Sequence, residues 1–169
     1  MRLGGASRRS LRYYAATKNK NAEGFMGLLR IARTPLVAIR AEATVNEAVR
    51  TMAQASIGAI GVTDRNRLIG IFSERDLMLR VVLEKRDPER THIRDVMTSP
   101  VETIHRDSTA DEALKVMLEK HIRHLPVIDR DGTLCGMISM RNLLHDKVEE
   151  LTDQLDSLEA YFTADGFGG

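Results

Sequence analysis

Two stretches of this chain carry the same sequence. Pro35 to Met78 laid over Pro100 to Leu144 gives fifteen identities across forty-four aligned residues, with one residue inserted near Gly132; average residue frequencies would give about three. The matches run in order from Pro35/Pro100 through Thr44/Thr109, Glu47/Glu112, Met52/Met117, Val62/Val127 and Gly70/Gly136 to Ser73/Ser139, Arg75/Arg141 and Leu77/Leu143. Two copies are too few for a solenoid. The repeat therefore predicts a pseudo-symmetric pair whose units bury their apolar faces against each other and leave two related clefts at the junction.

Each copy reads β-α-β-β-α. A short strand (Val37 to Ile39; Val101 to Ile104) leads through a Thr to a helix with apolar positions Val45, Ala48, Val49 and Met52, or Ala110, Ala113, Leu114 and Met117. Thr44 and Thr109, each followed three residues later by a Glu, predict capped helix starts. A buried strand (Ile57 to Thr63; Leu125 to Ile128), a polar turn and a third strand (Leu68 to Phe72; Leu134 to Ile138) follow, and a second helix opens at Ser73 or Ser139. The expected fold class is thus α/β (α+β): two such units related by a pseudo-two-fold axis, a C-terminal helix and a disordered basic N-terminal arm. The expected boundaries are 1–24 for the arm, 25–83 and 94–147 for the repeats, 84–93 for a charged linker broken by Pro88, and 148–169 for the C-terminal helix and tail.

The formal charge of +1 hides a split, since residues 1 to 34 hold eight Lys and Arg against Glu23 alone, a local +7 that leaves the remainder at −6. The start is Arg-rich, Ser-containing and acid-poor. It fits a disordered arm, an organelle transit peptide or an expression scar. Tyr13 and Tyr14 among its arginines keep nucleic-acid contact open as a lesser reading. No apolar run reaches the roughly 20 residues of a membrane span, which excludes a transmembrane helix and a secretory signal. One cysteine, Cys135, rules out an internal disulfide and suits a reducing compartment. The cytoplasm is expected, or the mitochondrial matrix if the arm is a transit peptide. Cys135 itself reads as a buried strand residue.

The repeats share Gly-x-h-Ser-x-Arg-Asp/Asn, with h apolar: Gly70 to Asp76 and Gly136 to Asn142. A Ser opening a helix directly after a strand leaves backbone N–H groups aimed at the loop, an arrangement that attracts anions such as phosphate. Asp76, one turn on, can accept both hydroxyls of a ribose, and Asn142 can do so more weakly. The same spacing is also a capping box that needs no ligand. His121 and His124, at i and i+3, lack a third metal ligand, and His92, His105 and His145 read as surface residues. No phosphate-binding P-loop, dinucleotide fingerprint or nucleophile elbow occurs, so no metal, cofactor or catalytic residue is expected. Leu144, Val148, Leu151, Leu155, Leu158 and Phe162 form an a/d seam, which either packs on its own module or joins a second copy.

The paired units, with the runs Ile57 to Val62, Gly70 to Asp76 and Arg123-His124-Leu125-Pro126-Val127-Ile128-Asp129, resemble a tandem of CBS domains, the Bateman module. The resemblance covers roughly residues 25 to 147, and Met97-Thr98-Ser99-Pro100 is similar to the usual start of a second copy. It implies a non-catalytic regulatory module that senses an adenosyl nucleotide of the AMP, ADP, ATP or NAD class and pairs into a homodimer through the disc of four units and the C-terminal helix. A ligand-independent scaffold or adaptor is the alternative. Carried onto this sequence, the family pattern puts the ribose on Asp76, phosphate on Ser73 and the helix terminus, adenine near Thr98 and Val101, and the basic pair Arg123 and His124 at the same cleft, with Arg75 also counted among its ligand-binding residues. The second cleft, formed by Val37, Ala38, Ser139, Arg141 and Asn142, lacks the carboxylate and that pair. It is expected to be weak or empty.

Overall fold

A computed structural model of the protein describes residues 27–33 and 36–164. The arm expected over residues 1–24 lies outside them, as do the readings attached to it. In chain order the elements are β1 (Ala38–Arg40), α1 (Val45–Ala55), β2 (Ala59–Asp64), β3 (Arg67–Ser73), α2 (Glu74–Asp76), β4 (Ile104–His105), α3 (Ala110–Glu119), β5 (His124–Ile128), β6 (Leu134–Ser139) and α4 (Met140–Ala164). No helix among the described residues is long and apolar enough to cross a membrane.

Local chemistry accounts for most of these boundaries. The hydroxyls of Thr44 and Thr109 accept from the N–H groups of Glu47 and Glu112 at 3.2 Å, and each glutamate accepts from its threonine's N–H at 2.8 Å. Two orphan donors at each helix start are thereby satisfied. In each repeat the first strand runs parallel to the second, which pairs antiparallel with the third. The first hairpin turns on Arg65 and Asn66, both left-handed at φ 47° and 71°, the two-residue geometry that matches the twist of the strands. The inserted residue lengthens the second turn. There Gly132 takes the positive φ, 81°, at no steric cost.

The two units meet along these hairpins and through exchanged lead-in segments. Leu68 N–H donates to Gly132 O and Leu134 N–H to Asn66 O, both at 3.2 Å. Gly61 lies under Leu134, whose Cδ2 would be 2.5 Å from a Cβ placed there. Leu28, Ile31 and Ala32, which precede the first repeat's strands, are buried with Ile104, Met117, Leu125, Ile138 and Leu143 of the second. Ile93 and Val96, which precede the second repeat's strands, are buried with Val45, Ile60, Phe72 and Val81 of the first. Each lead-in thus completes the other repeat's core. Ile93, read from sequence as linker, is fully buried, because the segment it heads pairs with β3: Thr98 N–H donates to Ile71 O at 2.8 Å and Ile71 N–H to Thr98 O at 3.1 Å.

The final helices of the two units differ. α2 is a single turn that passes into a π-helical stretch, Leu77–Val82, whereas α4 continues for 25 residues. The seam residues Leu144, Val148, Leu151, Leu155, Leu158 and Phe162 are all more than half exposed. Packing of the stripe on its own module is therefore not what the fold does. His105 also departs from expectation: its Nε2 is buried and without a hydrogen-bond partner among the described residues, because β4 carries it into the second sheet beside β5.

Candidate functional site

Both serine-headed turns are closed by their own side chains, the first by a full capping box and the second by side-chain bonds between Ser139 and Asn142. Ser73 Oγ and N–H donate to Asp76 Oδ2 at 2.6 and 2.9 Å, and Asp76 N–H returns to Ser73 Oγ at 3.3 Å. The other carboxylate oxygen, Oδ1, accepts from Thr98 Oγ1 at 2.8 Å and lies 3.6 Å from the Arg80 guanidinium. Asp76 is only 7% exposed. Each oxygen thus accepts within the protein, Oδ2 from Ser73 and Oδ1 from Thr98, with acceptor capacity left on Oδ1. Arg75, on the turn between them, is exposed.

The second turn is bonded internally too, but it borders a cavity. Ser139 Oγ donates to Asn142 Oδ1, Asn142 N–H donates back at 3.2 Å, and Asn142 Nδ2 donates to Ile31 O at 3.2 Å. Beside it opens a cavity of about 490 Å³ whose lining includes Ser139, Arg141, Asn142, Arg123 and His124 from the second repeat, Leu36, Val37, Met52, Ile57, Gly58 and Glu74 from the first, and the lead-in residue Arg33. Its volume falls in the range of about 300–1,000 Å³ usual for small-molecule sites. The lining combines apolar side chains with three guanidiniums and an imidazole, a set of groups suited to an anion with an apolar end.

The basic pair is placed differently from the expectation. Arg123 and His124 line the cavity of Ser139 and Asn142, the cleft expected to lack them. Antiparallel pairing sets His124 opposite Ser139, and Met140 N–H donates to Arg123 O at 2.9 Å. His124 also stands near Glu74, next in sequence to Ser73: a Cβ built on Gly58 would lie 3.1 Å from Glu74 Oε2 and 3.3 Å from His124 Cε1. The imidazole thus stands between the two turns. Its pKa is lowered from 6.5, first by burial and then by the Arg123 charge, with Glu74 acting in the opposite sense.

Of the other residues singled out from the sequence, Val37 lines the cavity and Ala38 does not, being exposed on β1 where it pairs with Gly61. Thr98 braces Asp76, and Val101 is half-buried ahead of β4. Cys135 lies half-buried on β6, where burial pushes its thiol up from the ordinary value. Arg33 and Glu74 were missed. Arg33 takes the place that Thr98 holds in the second repeat, and its guanidinium donates to Ser56 O at 2.9 Å and to Ala55 O, closing the end of α1. The repeat alignment could have exposed that Arg/Thr exchange, but the cavity itself is a tertiary feature.

The architecture and the paired turns define a tandem module with a ligand-sized cavity at the junction of its repeats. The chain belongs to the CBS-domain family, and the domain matches it twice, over residues 29–83 and 93–149. The mitochondrial CBS domain-containing protein CBSX3 of Arabidopsis thaliana is 32% identical over 123 residues, 70% of this chain and 59% of that protein. This chain thus spans about three fifths of that curated relative's length. The crystal structure of a CBS-domain containing protein from Agrobacterium tumefaciens superposes with a TM-score of 0.63 at 30% identity, covering 71% of this chain and 94% of that one. The structure of CBSX2 in complex with AMP shares the fold, with a TM-score of 0.60 and 24% identity over 74% of this chain and 93% of that one.

Proposed function

We propose that the protein is a regulatory module that holds an adenosyl nucleotide, of the AMP, ADP, ATP or NAD class, in the cavity beside Ser139 and Asn142. The observation that carries this reading is the mixed lining of that cavity, in which apolar side chains such as Leu36, Val37 and Ile57 stand together with three guanidiniums and an imidazole. Leu36, Val37 and Ile57 would take the base, Asn142 and Ser139 the sugar, and Arg33, Arg123 and Arg141 the phosphate. The AMP complex of a fold neighbour supports the ligand class.

The module would report through a homodimer. Met78 and Val82 on the first unit's final helix occupy the positions of Leu144 and Val148 on the second, and all four are exposed. This gives an apolar face with the symmetry a second copy needs, extended by the seam of α4. A mitochondrial relative favours the mitochondrial reading over the cytoplasmic one, and a single cysteine suits any reducing compartment.

Unfolding in the presence of AMP, ADP, ATP, NAD and adenosine tests the reading. A ligand that binds only the folded protein adds about 2.7 kcal/mol at 100 times its dissociation constant. A shift with any of the nucleotides supports the sensor. No shift with any of them would leave the ligand-independent scaffold.

A further inference from the structure

Among the described residues lining the cavity are three arginines, one histidine and a single acid, Glu74. That acid comes from the opposite repeat, and the fold fixes where it stands. Ser73 caps α2, so Glu74 is its first position, and Glu74 N–H is held by Gly58 O at 3.0 Å. Gly58 has no side chain, and the Glu74 carboxylate and the His124 ring lie over the same bare Cα. Any side chain at position 58 would have to push one of them aside. Glu74 is exposed at the mouth, so solvent moderates its field without abolishing it.

We propose that Glu74 is the charge-selecting residue of this cavity: a counter-charge contributed in trans by the first repeat, which limits how much negative charge a bound ligand can carry. Each added phosphate gains from Arg33, Arg123 and Arg141 but approaches a carboxylate that has no other acid beside it in the lining. The consequence is discrimination in favour of a short anionic tail over a long one, by a repulsive element as well as by attractive contacts. The inference rests on the proposed ligand reading for the adenosyl part of the molecule, and on the cavity alone for the anionic part.

The test compares Glu74→Gln with the parent and with Glu84→Gln, which removes the same charge away from the cavity. Adenosine, AMP, ADP, ATP and inorganic pyrophosphate are titrated calorimetrically into each. The gain in affinity from Glu74→Gln should rise along the series, absent for adenosine and about fivefold or more for ATP and pyrophosphate, and Glu84→Gln should show none. An equal gain for adenosine and ATP would make Glu74 a steric obstacle and overturn the inference, as would equal affinities in parent and variant or no binding of any anion to either. If pyrophosphate gains while no adenosyl compound binds, the charge-selecting role stands and the adenosyl reading falls.

Discussion

The hydroxyl of Thr98 donates to Oδ1 of Asp76 across 2.8 Å, tying the lead-in of the second repeat to the final helix turn of the first. Ser73 holds the other oxygen. The acid that the motif offers as a sugar acceptor also ties the two repeats together, and its nearly buried carboxylate is matched with donors, as a buried charge must be.

Thr98→Val keeps the shape of this side chain and removes its donor. It should destabilise the protein by about 1–2 kcal/mol, the cost of leaving one buried carboxylate oxygen short of a hydrogen bond, read as a lower urea midpoint. AMP affinity should not change. A loss of AMP binding that parallels the loss of stability would return Asp76 to the ligand.

Arg123→Ala should weaken AMP by about 1.5–3 kcal/mol if its bond to phosphate is charge-assisted, and should leave adenosine as it was. Asn142→Ala should weaken both, because both ligands carry the sugar. Calorimetry with the two ligands separates the roles, and an equal loss on Arg123→Ala would remove Arg123 from phosphate recognition.

His124 has a pKa below its ordinary 6.5, chiefly because it is buried. The unfolded chain then binds the proton more readily than the folded one, so stability is intact above about pH 6.5 and falls as acid drives the unfolded imidazole to protonate. The decline should extend down to the lowered folded pKa, and His124→Gln should flatten it. A phosphate placed beside the ring favours the charged form, so AMP should bind more tightly, with proton uptake, as pH falls from 7.5 towards 6. Isothermal titration in two buffers of different ionisation heat measures that uptake, and none would place the phosphate away from His124.

Leu151→Asp combined with Leu155→Asp puts two charges on the apolar stripe of α4, where burial against a partner would be costly. Both side chains are exposed in the single chain, so folding should be unaffected while the dimer dissociates at higher concentration than the parent. Sedimentation shows which. An unchanged dimer would confine the interface to Met78, Val82, Leu144 and Val148.

A Cβ on Gly61 would meet Leu134 where β2 and β6 approach. Gly61→Ala should therefore cost about 1–3 kcal/mol, as overpacking does in a closed core, with no change in ligand preference. Chemical denaturation checks this, and a neutral result would mean that Leu134 can repack.

What could be read in the sequence was local. The repeat announced two like units, the Thr-x-x-Glu spacing announced both helix starts, and the 3.5-residue period announced a long C-terminal helix, because each depends on residues within a few positions of one another. The capping reading of Ser-x-x-Asp was legible too, and the turn at Ser73 adopts it. What tertiary structure decided is which distant segments share a space. Leu28 and Ile93 each complete the other repeat's core because each lead-in pairs with the far unit's third strand, a register that repeat alignment cannot supply. The family pattern also assigned Arg123 and His124 to one cleft. Near a pseudo-two-fold axis, however, a side chain borders both halves, and the pairing of His124 with Ser139 brought the basic pair to the turn with Asn142, with Glu74 arriving from across the axis.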